Sequence, residues 1–292
     1  MKTKNLEYIS RTETNKRPQN EDNFIICQLT PNPNQNPITL LAISDGMGGH
    51  EHGEEISREA LKKISLNLFE TLVFEPSINN QQKNPKSPTT EKLTKAIKEA
   101  IAQTNAHIKR MIKNNGWNKS GATLAVALIW ESMAIISNLG DSPIYHYSDG
   151  KIRQITDNHT LASALRRGGI ITSEMAANHE GKNMLEFYLG CDNLPPDLPI
   201  HYVSLNSGDL LLLCSDGVSN YLGEKELENI LAEVDLNKIS EQLIHTSQKA
   251  GETDNQTLIL WRYLGKSADN QTVRQYTKCR GGFNQECRGG FL

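Results

Sequence analysis

No apolar run in the sequence approaches the ~18 residues of a membrane-spanning helix, so no helical anchor and no membrane partner are expected. A dominant charge is also missing. Thirty-one lysines and arginines face 34 aspartates and glutamates, giving a net charge of -3 and no electrostatic footprint for nucleic acid. Cysteine is scarce: Cys27, Cys191, Cys214, Cys279 and Cys287 are odd in number and lack zinc-ligand spacing. That excludes a disulfide framework and points to a reducing compartment. Met1 to Asn5 lead directly into an apolar strand pattern, so a cytoplasmic protein without a signal peptide is expected. With 292 residues, 37% of them hydrophobic, one substantial core is affordable, and one domain fits better than two.

What is present is a recurring junction of apolar strand and acidic turn. Ile38 to Ile43 is apolar and ends in Ser44-Asp45-Gly46, after which Gly48 and Gly49 turn the chain into an amphipathic helix beyond His50. Leu210 to Cys214 ends in Ser215-Asp216-Gly217, and Ala134 to Leu139 ends in Gly140-Asp141. Asp254 precedes the apolar stretch Thr257 to Trp261. If these strand ends meet, several carboxylates converge, and like charges a few ångströms apart repel by roughly several kcal/mol per pair. A cation or shifted protonation resolves the conflict, a metal site being the simpler, and carboxylate and carbonyl oxygens suit Mg(II) or Mn(II) better than zinc. By contrast, Asp149-Gly150 sits between two short strand patterns and reads as a hairpin corner. Asp269-Asn270-Gln271-Thr272 echoes Asp254-Asn255-Gln256-Thr257, but only the earlier copy leads into a buried strand. Arg17 reads equally as a bidentate phosphate ligand and as a solvated loop arginine.

Helices are expected over Glu51 to Leu72 and from Thr89 or Thr90 onward, joined by a proline- and asparagine-rich mobile linker from Pro76 to Pro88. The first strand is expected over Leu6 to Ser10, followed by a polar loop holding Arg11, Lys16 and Arg17. From Gly121 short strands follow one another with tight turns, which predicts an antiparallel meander. Leu161 to Arg167 and Ser173 to Ala177 read as short helices in a surface excursion hinged at Gly168-Gly169. Helices over Glu224 to Leu231 and Asn237 to Ala250 precede a last strand over Thr257 to Tyr263. From residue 265 to 292 the composition changes, with Cys279-Arg-Gly-Gly-Phe283 repeated as Cys287-Arg-Gly-Gly-Phe291, and a disordered tail is expected.

Taken in order, Arg17-Pro-Gln-Asn-Glu-Asp22, Ser44-Asp-Gly-Met-Gly-Gly-His50 with Gly53-Glu54 and Ser57, Ser120-Gly-Ala-Thr123, Asn138-Leu-Gly-Asp-Ser142, Ser215-Asp-Gly217 and Asp254-Asn255 resemble the metal-dependent protein serine/threonine phosphatases of type 2C, in particular their bacterial branch. The resemblance implies an α+β fold, a four-layer αββα sandwich of two mainly antiparallel sheets flanked by helices, as one phosphatase domain over residues 1–264. It implies two Mn(II) or Mg(II) ions and, as in bacterial members, a third. Asp45 is similar to the bridging carboxylate, the Gly46 carbonyl to a ligand of one ion, and Asp216 and Asp254 to ligands of the other. Asp22 corresponds to a group acting through water and Asp141 to a ligand of the third ion, while residues 166–179 resemble a substrate-touching flap. The implied activity is hydrolysis of phosphoserine or phosphothreonine in proteins, opposing a serine/threonine kinase, by in-line attack of a metal-bridging water or hydroxide in a monomeric enzyme. Arg17 would clamp the phosphoryl group; His50 would protonate the leaving oxygen, or serve as an outer donor, or simply be exposed. Pro143, Asn158 and Glu186-Phe187-Tyr188 depart from the family pattern. Two rival readings remain: a catalytically weak phosphoprotein-binding module on the same fold, and a two-metal nuclease, which the absence of a basic signature disfavours.

Overall fold

The computed structural model describes residues 7–30, 36–48, 52–74, 89–265 and 275–277. The Pro76 to Pro88 linker, His50 and both copies of the tail repeat lie outside the described residues. The strands are β1 (Glu7–Glu13), β2 (Asp22–Leu29), β3 (Ile38–Met47), β4 (Gly121–Ala122), β5 (Leu124–Trp130), β6 (Met133–Leu139), β7 (Ile144–Ser148), β8 (Lys151–Gln154), β9 (His201–Ser204), β10 (Leu210–Cys214), β11 (Gln256–Arg262) and β12 (Gln275–Thr277). The helices are α1 (Gly53–Phe69), α2 (Thr90–Asn115), α3 (Leu161–Arg167), α4 (Ser173–Ala177), α5 (Asp216–Ser219), α6 (Glu224–Leu231) and α7 (Leu236–Lys249).

Two sheets result, one ordered β12-β1-β11-β10-β7-β8 and the other β2-β3-β5-β6-β9, with β4 paired to β3. All pairings are antiparallel except the parallel contact of β12 with β1. Alternation along each central strand builds the layers. In β3, Ile38, Leu40 and Ala42 pack with Ile56, Ile64, Ile97 and Ile101 of α1 and α2. Leu41 and Ile43 point the other way, against Leu211, Leu213 and Ile259 of the second sheet. The second sheet repeats the scheme, with Leu212, Leu258 and Leu260 facing Leu227, Ile239 and Leu243 of α6 and α7. Three apolar layers between four layers of structure explain why these strands read as unbroken apolar runs although they are antiparallel. The fold is the expected αββα sandwich.

Local chemistry sets the boundaries. Thr89 caps α2, its hydroxyl accepting the Lys92 N–H at 3.2 Å. Gly116 ends it in the left-handed region at φ 70°. Asp149 and Gly150, at φ 49° and 77°, turn the β7–β8 hairpin as a type I′ pair. Three elements differ from expectation. β1 continues to Glu13, so Arg11 lies in a strand rather than a loop, because residues 7–13 pair in register with Arg262 to Gln256. The first helix begins at Gly53 and passes into a π-helical turn over Glu70–Phe74. Within the tail expected to be disordered, Gln275–Thr277 pairs with Tyr8–Ser10.

Candidate active site

Each acidic junction is anchored by its own neighbours. At the end of β3, the Asp45 N–H donates to Thr123 Oγ1 at 3.0 Å and the Thr123 N–H returns a bond to the Asp45 carbonyl at 2.8 Å. Thr123 Oγ1 lies 2.6 Å from Ser142 Oγ, so the turn that carries Asp141 is tied to the same point. Asp22 is the direct cross-strand partner of Asp45. The Gly46 N–H donates to the Glu21 carbonyl at 3.1 Å, and a Cβ at Gly46 would collide with the Gly53 backbone that opens α1. Only glycine allows that approach.

On the opposite sheet, Ser215 Oγ donates to Asp22 Oδ2 at 2.7 Å while accepting the Thr257 N–H at 3.0 Å. This single hydroxyl joins the two sheets at the site. Asp216 opens α5, and its Oδ2 accepts Asn220 Nδ2 at 3.0 Å. Asp254 Oδ2 accepts Arg17 Nη2 at 2.6 Å, and Asp254 Oδ1 accepts the Asn255 N–H at 2.8 Å. Glu252 Oε1 holds the N–H groups of Thr253 and Asp254 at 2.7 and 2.8 Å. Asn255 fixes the loop that presents Arg17: Oδ1 accepts the Glu21 N–H at 2.8 Å, and Nδ2 donates to the carbonyls of Thr14 and Gln19 at 2.9 and 3.0 Å.

The electrostatics follow from this convergence. Asp45, Asp141 and Asp216 keep some contact with solvent, but the surrounding protein desolvates them and they face one another's charge. Desolvation, then the charges of Asp22, Asp216, Asp141 and Asp254, hold the Asp45 carboxyl well above the usual carboxylate range. Burial pushes Asp22 up to about 7, opposed by its bond from Ser215. Burial followed by the Asp216 charge takes Asp141 to about 7, and burial followed by the Asp254 charge takes Asp216 to about 6. Asp22 Oδ1 is buried with no hydrogen-bond partner. Four carboxyls resisting ionisation, beside an orphaned buried oxygen, form a donor set that fits hard divalent cations. Among the described residues no three His, Cys, Asp or Glu side chains close round one point as a complete cage. Hard ions that retain much of their water need only one or two carboxylates each.

Beside the carboxylates lies a cleft of about 640 Å³, with Arg17, Asp216 and Asp254 on one side and α3, α4 and the 3-10 turn Glu180–Asn183 on the other. The neck of this excursion is a short ladder, in which the Leu161 N–H donates to Met184 O and the Glu186 N–H to His159 O, both at 2.8 Å. Arg167 straps it by donating to Asn158 O at 3.0 Å and Glu186 Oε2 at 2.9 Å. Two of the departures noted in the sequence, Asn158 and Glu186, therefore meet at one strap. Sequence reasoning did not single out Asn220, Tyr221, Lys182 and Glu252, which also line the cleft. Asn220, one turn beyond Asp216, carried a readable signal in its i, i+4 spacing.

Comparison with known proteins agrees with this geometry. The family model described as Protein phosphatase 2C matches residues 13–258. The chain belongs to the protein phosphatase 2C family. Serine/threonine phosphatase stp of Listeria welshimeri is 32% identical to this phosphatase over 246 residues, spanning 84% of this chain and 90% of that protein. Serine/threonine phosphatase Stp1 from Staphylococcus aureus superposes with a TM-score of 0.71 at 28% identity, covering 89% of this chain and 96% of that one. The catalytic domain of PstP, solved in complex with two manganese ions, shares the fold at a TM-score of 0.65 and 24% identity, covering 88% of this chain and 98% of that one. These relatives favour a phosphatase over a catalytically weak binding module. Among the described residues, no helix is long and apolar enough to cross a membrane.

Proposed function

We infer that this chain is a phosphoprotein phosphatase that removes phosphate from serine and threonine with the help of two divalent ions, Mn(II) or Mg(II). The observation that carries the reading is the set of mutually repelling carboxyls Asp22, Asp45, Asp141 and Asp216, which the fold holds protonated towards neutral pH unless a cation balances their charge. The Asp45 carboxylate and Gly46 carbonyl, with Asp216 and Asp254, would hold the pair; Asp22 would act through water and Asp141 would hold a third ion. When bound, such ions supply Lewis acidity and lower the pKa of water towards neutrality, which suits hydrolysis of a phosphate ester.

The chain's own residues supply the rest. Arg17 spends one N–H on Asp254 and keeps the remaining guanidinium donors for phosphoryl oxygens. The Asp254 bond raises its already high pKa, so it stays charged throughout. Asn255 sets the position of Arg17 by fixing the ends of its loop. Protonation of the leaving oxygen is proposed for His50. The residue types around the cleft suit a phosphorylated protein segment, and an opposing serine/threonine kinase would supply it. Cys27, Cys191 and Cys214, all unpaired among the described residues, suit the reducing cytoplasm, and a monomer is proposed. Residues 1–264 are proposed as the catalytic domain.

The test is turnover of a phosphothreonine peptide with Mn(II) and after chelation. Activity is expected only with the ion; turnover indifferent to EDTA would overturn the proposal.

A further inference from the structure

The charges in the cleft are unevenly committed. On its carboxylate side, Asp254 is paired with Arg17, Asp216 accepts from Asn220, and Glu252 holds two backbone N–H groups. On the flap side, Arg166 and Lys182 face the same cleft, joined by the polar side chains of Ser163 and Asn183. Among the described residues the sole ion-pair partner of Arg166 is Asp157 at 3.8 Å, and Asp157 is 65% exposed, so the contact is weak. Lys182 makes no ion pair among the described residues. The acid of the neighbouring strap, Glu186, is taken by Arg167. Glu174 and Glu180 lie on the same elements but outside the cleft lining, so the charged side chains that this wall turns to a ligand are the two cations Arg166 and Lys182.

Both cations stand on held backbone. Arg166 lies in the last turn of α3, whose N-terminus is capped by Thr160 and whose other end is strapped through Arg167. Lys182 lies on the 3-10 turn, where His179 Nδ1 accepts the Gly181 N–H at 2.9 Å. Fixed stems lower the entropy lost when flexible cations grip an anion. A cleft of about 640 Å³ has room for more than the reacting phosphoryl group.

We propose that Arg166 and Lys182 form a specificity site for a second anionic group, a phosphate or carboxylate close to the phosphoresidue being hydrolysed. This rests on the phosphatase reading and adds the substrate class: segments phosphorylated twice, or phosphorylated within an acidic sequence. Neither residue belongs to the hydrolytic machinery, so the pair acts on which substrate enters and not on the bond that breaks.

The experiment uses the full chain with Mn(II) and three phosphothreonine peptides: one with neutral flanks, one with flanking aspartates, one with a second phosphothreonine. Wild type is expected to show kcat/KM about tenfold higher for one or both anionic peptides, the scale of one charge-assisted contact. A preference confined to the doubly phosphorylated peptide assigns the site to phosphate; a shared preference assigns it to anions in general. In the Arg166→Ala, Lys182→Ala double variant the preference should vanish, while turnover of p-nitrophenyl phosphate, which has no flanking segment to reach this wall, stays within about twofold of wild type. Raising the salt concentration should erode the wild-type preference without any mutation, since exposed charges are screened. Equal kcat/KM for all three peptides in wild type, or a preference that survives in the double variant, would overturn the proposal. No turnover of any peptide or of p-nitrophenyl phosphate would instead overturn the phosphatase reading beneath it.

Discussion

A carboxylate at the end of a buried strand is an unstable arrangement unless something answers its charge. Asp216 illustrates the point: desolvation and the nearby Asp254 push its carboxyl up to about 6, while Asn220 partly offsets them. Asp216→Asn keeps the size and the bond to Asn220 but removes the charge. Turnover should fall by about 10²–10³-fold, the scale on which single electrostatic groups act in catalysis, with the circular dichroism spectrum unchanged. Near-normal turnover in the variant would contradict a role in ion binding. Some of this is readable in the sequence, because Ser-Asp-Gly occurs after two apolar strands and Asp254 before a third. Which groups hold the acids was not readable. Thr123 binding the Asp45 backbone, and Ser215 spanning to Asp22 from 193 residues away, depend on tertiary approach that no local spacing encodes.

At the scale of elements, the loop between β1 and β2 owes its shape to one side chain. Asn255 makes three hydrogen bonds to it, all from a position just before β11. Asn255→Ala removes them together. A loss of about 2–3 kcal/mol in unfolding free energy is expected at roughly 1 kcal/mol per bond, and a rise in KM for phosphopeptide should accompany it as Arg17 loses its seat. Denaturant titration and steady-state kinetics on the same variant test both; an unchanged KM would detach Arg17 from substrate binding. Elements with their own signals were legible: Thr89 at the start of a helix, Asp149-Gly150 as a turn, and the two short helices of the surface excursion. The extension of β1 through Glu13 was not, since Arg11, Thr12 and Glu13 are polar and become strand only because β11 runs alongside.

For the molecule as a whole, acidity and cation binding should act against each other. Without ions, Asp22 and Asp141 titrate at about 7 and Asp216 at about 6 in the fold, against ~3.9 for an unfolded aspartate. The folded state therefore binds more protons, and these groups cost stability as the pH rises from about 4 to about 7. His159 opposes them: burial and the Arg167 charge lower it to about 4, so its contribution is lost as the pH falls below about 6.5. Subtracting the melting temperature in EDTA from that in Mn(II) at each pH cancels His159 and isolates the carboxylates. The difference should be several degrees larger at pH 8 than at pH 5.5, at about 2–4 °C per kcal/mol for a chain of this size. An equal difference at both values would mean that the carboxylates are not where the ion binds.

The Ser215–Asp22 bond carries a consequence for the order of events in the life of the chain. Asp22 and Asp45 belong to one sheet and Asp216 and Asp254 border the other, which is completed later along the chain. A polypeptide still being synthesised therefore holds only part of the acidic set until β11 emerges and the halves close on each other. Hydrolysis should therefore wait until β11 has joined the second sheet, and a fragment that stops short of Asp254 should be inert however well its first sheet folds.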